Sequence, residues 1–262
     1  MSQLASSPAR TTADLFDLRG RAALVTGGSR GIGRAAARIL DSAGARVVLC
    51  GRDVTALAET ESLLRNDPLV IPADLARREG PTQLADQVLE ATGGVDILIN
   101  KAGVQAVSPA LTISEEDWDF VYEVNLRAVF MLSRALAPRM IESGWGKIVN
   151  VASILGMVAD RNASPYITSK AGMLGLTRAL AVEWASSGVT VNALCPGWIE
   201  TEMVDDVRQI DGFDRRVRGR TPQRRWGRAE DLEGAFLFLS SPASDFVAGH
   251  ALVVDGGLTS GW

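Results

Sequence analysis

One tyrosine, one lysine and one serine in this chain are spaced as a proton-transferring site requires. Tyr166 and Lys170 are four residues apart, so a helix would place the phenol and the ammonium side by side on one face. A cation held there lowers the phenol's pKa from about 10, because it stabilises the phenolate. Ser153 lies upstream, at the end of an apolar run. We therefore expect Tyr166 to act as a general acid or base.

A glycine-rich segment lies near the start of the chain. Gly27, Gly31 and Gly33 follow the first apolar run and open the first amphipathic stretch. Glycine permits positive φ in a tight turn and lets a diphosphate approach the N–H groups of a helix N-terminus. A plain strand-to-helix connection is the alternative. The position after the first strand of a βαβ unit favours dinucleotide binding.

The residues at the end of the second apolar run indicate whether NAD or NADP would bind. A carboxylate there would bind the adenosine ribose of NAD, but the residues are Gly51 and Arg52. Arg52 and Arg30 are cations suited to a ribose 2′-phosphate, so we expect NADP(H) rather than NAD(H). Two alternatives stay open: Arg52 pairs only with Asp53 or solvent, or Asp53 itself binds the ribose.

The strands and helices that position these residues are indicated by short apolar runs that alternate with helix-length amphipathic stretches. The pattern is typical of a parallel sheet covered on both faces. Strands are predicted at 22–26, 46–50, 69–71, 96–100, 147–152, 190–194 and 251–254, and helices at 31–43, 54–65, 81–91, 115–142, 165–187 and 229–240. No long linker interrupts the alternation, so we predict an α/β fold: one doubly wound Rossmann-type domain over residues 18–262.

Two segments depart from this pattern. Residues 1–17 are predicted to be a mobile N-terminal tail, although Leu15, Phe16 and Leu18 could dock on the first strand. Residues 202–228 are rich in arginine and are predicted to be a mobile substrate-loop insert over the carboxyl edge of the sheet. Those arginines could recognise an anionic group on a substrate, but we favour a solvated face balanced by nearby aspartates.

Composition excludes several classes of function. A net charge of −4 and a pI near 5.2 give no concentrated basic face for nucleic acid. No apolar run approaches the length of a membrane span, and a metal site is not expected because His250 is the single histidine. Cys50 and Cys195 lie in apolar runs, which favours buried thiols in a reducing, cytoplasmic compartment.

From residue 18 to residue 257 the sequence resembles the short-chain dehydrogenase/reductase family. The resemblance rests on Thr26-Gly27-x-x-x-Gly31-x-Gly33, Asp74, Asn100-x-Ala102-Gly103, Asn125, Ser153, Tyr166-x-x-x-Lys170, Pro196-Gly197 and Val254-Asp255-Gly256-Gly257. It implies four catalytic residues: Tyr166 transfers the proton, Lys170 depresses its pKa and binds the nicotinamide ribose, Ser153 polarises the substrate oxygen, and Asn125 anchors a water.

The resemblance also implies a set of cofactor contacts. Besides Tyr166 and Lys170 the set is Gly27, Ser29, Arg30, Gly31, Ile32, Gly33, Arg52, Asp74, Leu75, Asn100, Ala102, Gly103, Pro196, Gly197, Ile199 and Thr201. Some members have structural alternatives: Asp74 as a loop cap, Thr201 as a helix N-cap and Asn125 as a buried hydrogen-bonding residue. Lys101 departs from the family, which usually has a second asparagine there.

Within the family the chain resembles the gluconate 5-dehydrogenase and 3-oxoacyl-carrier-protein reductase branches. Ile154, Leu155, Trp198 and Met203 are expected to contact substrate, and this apolar wall favours a ketone or β-keto substrate, reduced reversibly with NADPH. A sugar-acid dehydrogenase is the alternative, and a non-catalytic cofactor-binding protein of the same fold is a third hypothesis. The resemblance implies a homotetramer, or a homodimer.

Overall fold

A computed structural model describes residues 10–261, except for the side chains of residues 206 and 207. Within this range seven strands form one parallel sheet in the order β3-β2-β1-β4-β5-β6-β7. They are β1 Ala22–Thr26, β2 Arg46–Cys50, β3 Leu69–Val70, β4 Ile97–Asn100, β5 Gly146–Val151, β6 Val189–Pro196 and β7 Ala251–Val254. The predicted doubly wound α/β fold is confirmed.

Helices cover both faces of this sheet. They are α1 Thr12–Phe16, α2 Gly31–Ser42, α3 Val54–Glu61, α4 Gly80–Thr92, α5 Glu115–Tyr122, α6 Ala128–Ser143, α7 Ser164–Trp184, α8 Asp205–Arg208, α9 Phe213–Arg220 and α10 Glu233–Ser240. One buried layer joins the sheet to Leu40 of α2 and Phe236 of α10, and the other joins it to Leu84 of α4, Leu132 of α6 and Leu180 of α7. Within the described range, no helix has the length and apolar character that crossing a membrane requires.

The strand order fixes where polar residues can converge. β1 pairs with β2 on one side and with β4 on the other, so the chain reverses its winding direction between β1 and β4. Thr26, Asn100 and Asn150 stand level at the carboxyl ends of three neighbouring strands. Ligands bind in the crevice at such a switch point, which places the site at this edge of the sheet.

The predicted helix 115–142 is interrupted in the structure. α5 and α6 are joined by a π-helical turn, Glu123–Arg127, in which Asn125 is fully buried. A π-helical turn contains one residue more than an α-helical turn, so it shifts the register of the inward-facing side chains. The periodic pattern of apolar residues does not reveal this turn. The predicted helix 54–65 also ends early, at Glu61, and the Asp41 carboxylate accepts the N–H groups of Arg65 and Asn66 beyond it.

The predicted mobile tail over residues 1–17 needs correction. Residues 1–9 lie outside the described range, but Thr11 caps the short helix α1 through a reciprocal hydrogen-bond pair with Asp14. Arg10 pairs with Asp245 at 3.0 Å, and Leu18 is fully buried in the core. The alternative of docking on the body of the protein describes these residues better.

Candidate active site

Tyr166 and Lys170 lie in the first two turns of α7, which begins at Ser164. The Lys170 ammonium is 5.6 Å from the centre of the Tyr166 ring. Ser153 lies two residues after the end of β5, and its Oγ accepts the N–H of Leu155 at 3.1 Å, which fixes the short turn after the strand. The three side chains line one cavity of about 110 Å³, which we call the tyrosine cavity.

Lys170 lines this cavity, and Asn125 lies close by, since a Cβ on Gly103 would be 3.3 Å from the Asn125 Oδ1 and 3.6 Å from the Lys170 Nζ. Lys170 is buried, and its Nζ donates to the carbonyl of Val151 at 2.7 Å. Asn125 accepts the N–H of Val104 at 2.8 Å, donates to the carbonyl of Val104 at 2.9 Å and donates to Ser169 at 3.1 Å. Its amide therefore binds the loop after β4 to α7, as the structural alternative predicted, and the anchoring of a water stays a prediction.

The protonation of Tyr166 differs from the expectation. Burial raises the pKa of the phenol, and hydrogen bonding with Ser153 opposes this only in part. Burial and the nearby charge of Lys101 lower the pKa of Lys170 to about 7. The expected lowering of the phenol's pKa was wrong for this ligand-free site, because a lysine that is itself desolvated carries too little charge to stabilise a phenolate.

A second, larger hollow of about 320 Å³ opens beside the tyrosine cavity; we call it the glycine-loop cleft. Eleven of the predicted cofactor residues line it: Gly27, Ser29, Arg30, Gly31, Ile32, Arg52, Asp74, Leu75, Ala102, Gly103 and Thr201. Ile32, Lys101, Gly103, Thr201 and Met203 line both spaces. The two spaces are therefore adjacent.

The glycine-loop cleft fits a dinucleotide diphosphate. Gly27 and Gly31 have φ of +65° and +52°, and a Cβ at Gly31 would lie 3.1 Å from the methyl of Thr201. Arg30, the residue before α2, provides no side-chain cap. The first N–H groups of this helix are thus exposed beside glycines, which is the arrangement that binds phosphate.

Two predicted cofactor residues line neither space. Asn100 is buried, and its amide donates to Ser133 and Asn150, so its side chain joins β4 to α6 and β5. A Cβ on Gly33 would lie 2.0 Å from the carbonyl oxygen of Gly27, so this glycine is required by the packing of the turn. Direct contact of either residue with the cofactor stays a prediction.

A family model described as Enoyl-(Acyl carrier protein) reductase matches residues 27–259. The chain belongs to the short-chain dehydrogenase/reductase family. It is 40% identical over 249 residues to the gluconate 5-dehydrogenase of Gluconobacter oxydans, which covers 94% of this chain and 97% of that one. It is therefore an oxidoreductase, as predicted.

Two solved structures of this family are similar along nearly their whole length. A gluconate 5-dehydrogenase from Burkholderia cenocepacia in complex with NADP and tartrate has a TM-score of 0.90 and 38% identity, covering 96% of this chain and 100% of that one. A 3-oxoacyl (acyl-carrier-protein) reductase from Agrobacterium tumefaciens with NADP bound has a TM-score of 0.88 and 33% identity, covering 94% and 97%. The predicted resemblance to both branches is confirmed.

The charged residues around Arg52 exclude its pairing with Asp53 and leave open the alternative that it faces only solvent. Asp53 forms an ion pair with Arg30, not with Arg52, and its carboxylate also accepts the N–H of Ala56 at the start of α3. Glu202 binds Arg30 from the other side of the cleft. Arg52 is exposed on the cleft and forms no salt bridge among the residues that the structure describes.

The predicted apolar wall is one side of the tyrosine cavity. Ile154, Leu155, Trp198 and Met203 line it, as do Pro196, Gly197 and Ile199. Sequence reasoning missed the other side, where Lys101 and Gln105 lie. Gln105 donates to the carbonyl of Met203 at 3.0 Å, so it bridges the mouth of the cavity. No motif marks Gln105; only its position shortly after Gly103 could have suggested it.

Four of the eight arginines in the segment 202–228 form ion pairs. Arg208, Arg216, Arg218 and Arg225 pair with Glu200, Asp160, Asp214 and Asp231. The Trp198 ring packs edge-on against Phe213 and Trp226, with ring centres 5.2 and 5.8 Å away. These contacts support the favoured interpretation of a charge-balanced face, and they anchor α9 beside the tyrosine cavity.

Proposed function

We propose that this protein interconverts a sugar acid and its keto form, of the gluconate and 5-ketogluconate type, with NADP(H) as the hydride carrier. The observation that carries the proposal is that the two spaces adjoin. Tyr166 and Ser153 line the tyrosine cavity, and the glycine-loop cleft shares five lining residues with that cavity. A substrate carbonyl bound at Ser153 would therefore face the nicotinamide end of a dinucleotide.

Each predicted catalytic residue has a role in this proposal. The bound cofactor supplies the hydride, and the protein supplies orientation and the proton. Ser153 donates a hydrogen bond to the substrate oxygen, which becomes more negative as hydride arrives. Tyr166 then gives its phenolic proton to that oxygen, and Lys170 stabilises the resulting phenolate. Asn125 keeps the loop after β4 against α7, and we propose that it also anchors a water that resupplies the proton.

The charges at the adenosine end support NADP(H) over NAD(H). Arg52 is unpaired among the described residues and exposed on the cleft, so its guanidinium can bind a 2′-phosphate. Arg30 can do so as well if it releases Asp53 or Glu202. The structures from Burkholderia cenocepacia and Agrobacterium tumefaciens, both with NADP, agree with this choice. The remaining cleft residues would contact the adenine, ribose and diphosphate.

The two-sided tyrosine cavity supports a sugar acid. Gln105 offers hydrogen bonds to hydroxyl groups, and Ile154 and Leu155 pack against the carbon chain. Whole-length similarity to a gluconate 5-dehydrogenase points the same way. The apolar wall also favours a second candidate, a β-keto ester or thioester, which agrees with the similar 3-oxoacyl reductase structure.

Assembly, location and the insert complete the proposal. Phe120 and Phe130 expose more than a third of their surface on α5 and α6, which supports a homotetramer, or a homodimer, built on these helices.

Both cysteines are free and buried, which agrees with a location in the reducing cytoplasm. We propose that residues 202–228 close over the substrate of the single domain 18–262.

A substrate screen tests the proposal. NADPH and NADH absorbance would be followed with 5-ketogluconate, a β-keto ester and a simple aryl ketone, each at several concentrations. We expect the highest kcat/KM with 5-ketogluconate and NADPH. A preference for the β-keto ester would favour the second candidate, and a preference for NADH would refute the role of Arg52. Size-exclusion chromatography with light scattering would give the mass of the assembly.

A further inference from the structure

Lys101 lies where the two spaces meet. It directly follows β4, and its backbone N–H donates to Thr26 Oγ1 at 3.0 Å. Its side chain turns toward the glycine loop: the Cδ would be 3.1 Å from a Cβ on Gly27. It lines both the glycine-loop cleft and the tyrosine cavity. Its position thus lies between the phosphate-binding helix terminus and Lys170.

The chain contains only three lysines among 27 basic residues, and their surroundings differ. Lys147 pairs with Asp245 at 2.9 Å, and Lys170 donates to the Val151 carbonyl at 2.7 Å. The Lys101 ammonium has neither a hydrogen-bond partner nor an ion pair among residues 10–261. A half-buried cation in this state lacks the partner that normally offsets its desolvation.

The groups that face Lys101 explain why the protein itself supplies no partner. Arg30 faces it from the start of α2, and Lys170 from α7, so both charged neighbours are positive. The acids of the same cleft are Asp74 and Glu202, and Glu202 is already bound by Arg30. The remaining titratable neighbours, Tyr166 and Cys195, are buried around Lys170. The missing anion must therefore come from a ligand.

We propose that Lys101 is a cofactor-binding residue whose ammonium binds the diphosphate of the dinucleotide. This inference rests on the proposed dinucleotide-dependent function and adds a residue that the family usually replaces by asparagine. The diphosphate is the anion common to NAD and NADP, and the exposed N–H groups at the start of α2, beside Gly27 and Gly31, place it within reach of this side chain. A 2′-phosphate would lie at Arg52, at the other end of the cleft.

A proton linkage follows from this contact. Burial and Arg30 lower the pKa of Lys101, and burial and Lys101 lower the pKa of Lys170 to about 7. A bound diphosphate neutralises the field of Lys101 and favours the charged form of both lysines. Binding therefore takes up protons above pH 7, and affinity falls as pH rises through that range. Above pH 7, Tyr166 thus acquires a more fully charged lysine neighbour when the dinucleotide is bound.

The test is isothermal titration of the wild type, Lys101→Met and Lys101→Asn with NADP⁺ and with NAD⁺. Titrations at pH 8 in two buffers with different ionisation enthalpies give the number of protons taken up. For the wild type we expect uptake approaching one proton and a Kd that weakens up to about tenfold per pH unit between pH 7.5 and 9. Lys101→Met should weaken both dinucleotides about tenfold at pH 7.5 and reduce the proton uptake.

Arg52→Met is the matched control, since it removes a cation of the same cleft that lies away from the diphosphate. It should weaken NADP⁺ but not NAD⁺ and leave the proton uptake unchanged. Lys101→Arg should retain most of the affinity. Circular dichroism melting would confirm that each variant is folded, and Lys101→Asn provides the residue usual in the family should Lys101→Met fail to fold.

Two results would overturn the inference. One is wild-type affinity and proton uptake in folded Lys101→Met and Lys101→Asn. The other is an unchanged Kd for both dinucleotides with a raised KM for the keto acid, which would assign Lys101 to the substrate. Failure of the proposed function would look different, because the wild type would then bind neither dinucleotide.

Discussion

Replacing Lys170 by methionine should stabilise the cofactor-free protein at neutral pH while it abolishes activity. Lys170 is buried, and its pKa falls from the ordinary 10.5 to about 7. The unfolded chain binds this proton more tightly than the folded chain, so the group reduces the free energy of unfolding at every pH below 10.5. The reduction is full below pH 7 and disappears as pH rises from 7 to 10.5.

The magnitude follows from the size of the shift. A fall from 10.5 to about 7 corresponds to about 5 kcal/mol below pH 7 and about 2 kcal/mol at pH 9. Methionine removes this cost but leaves the Val151 carbonyl without its 2.7 Å hydrogen bond, a loss of about 1–3 kcal/mol. The net gain should be about 2–3 kcal/mol at pH 6.5, and by pH 9 it should be close to zero.

Urea unfolding of the cofactor-free wild type and Lys170→Met at pH 6.5, 8 and 9 measures this difference. The expected signature is a gain in the free energy of unfolding that shrinks as pH rises, with the m-value unchanged. A variant less stable than the wild type at pH 6.5, or a gain independent of pH, would refute the assignment of a depressed lysine pKa.

Two further predictions concern residues that hold the site together. Asp53→Ala should lower the free energy of unfolding by about 1 kcal/mol, because α3 loses its N-cap. It should also tighten NADP⁺ binding severalfold, because Arg30 loses a competing carboxylate. Thermal melts and titration would measure the two effects, and an unchanged affinity would contradict this role of Arg30. Asn125→Ala should lower stability by about 2–4 kcal/mol, since it removes bonds to Val104 and Ser169 from a fully buried site. A loss below 1 kcal/mol in denaturant unfolding would show that the amide does not hold the loop.

The sheet was predictable because each strand is a short apolar run between turn residues. β1, β2 and β7 have the predicted bounds, β5 is shifted by one residue, and β3, β4 and β6 differ by one to three residues in length. Burial on both faces makes such runs nearly continuous in hydrophobicity, so periodicity and flanking turns locate them well. The π-helical turn at Asn125 could not be predicted, because one inserted residue barely changes the pattern.

The candidate site was predictable in its residues but not in its electrostatics. The spacing of Tyr166 and Lys170 correctly predicts their proximity on α7. The protonation of both depends on burial, and that of Lys170 depends also on Lys101, which lies 65 positions from Tyr166 in sequence and reaches the site through the β4 end. The direction of the Asn100 side chain, which bonds to Ser133 and Asn150, is set by the pleat of the strand and does not follow from the sequence pattern.

The most direct test of the account is Tyr166→Phe, assayed with NADPH and 5-ketogluconate and titrated with NADPH alone. Phenylalanine keeps the ring packing and removes only the hydroxyl that transfers the proton. We predict a fall in kcat of about 10²–10⁴-fold, the range for loss of a general acid, with a Kd for NADPH within about twofold of the wild type. Turnover near the wild-type rate in this variant would contradict the assignment of Tyr166 as the proton donor.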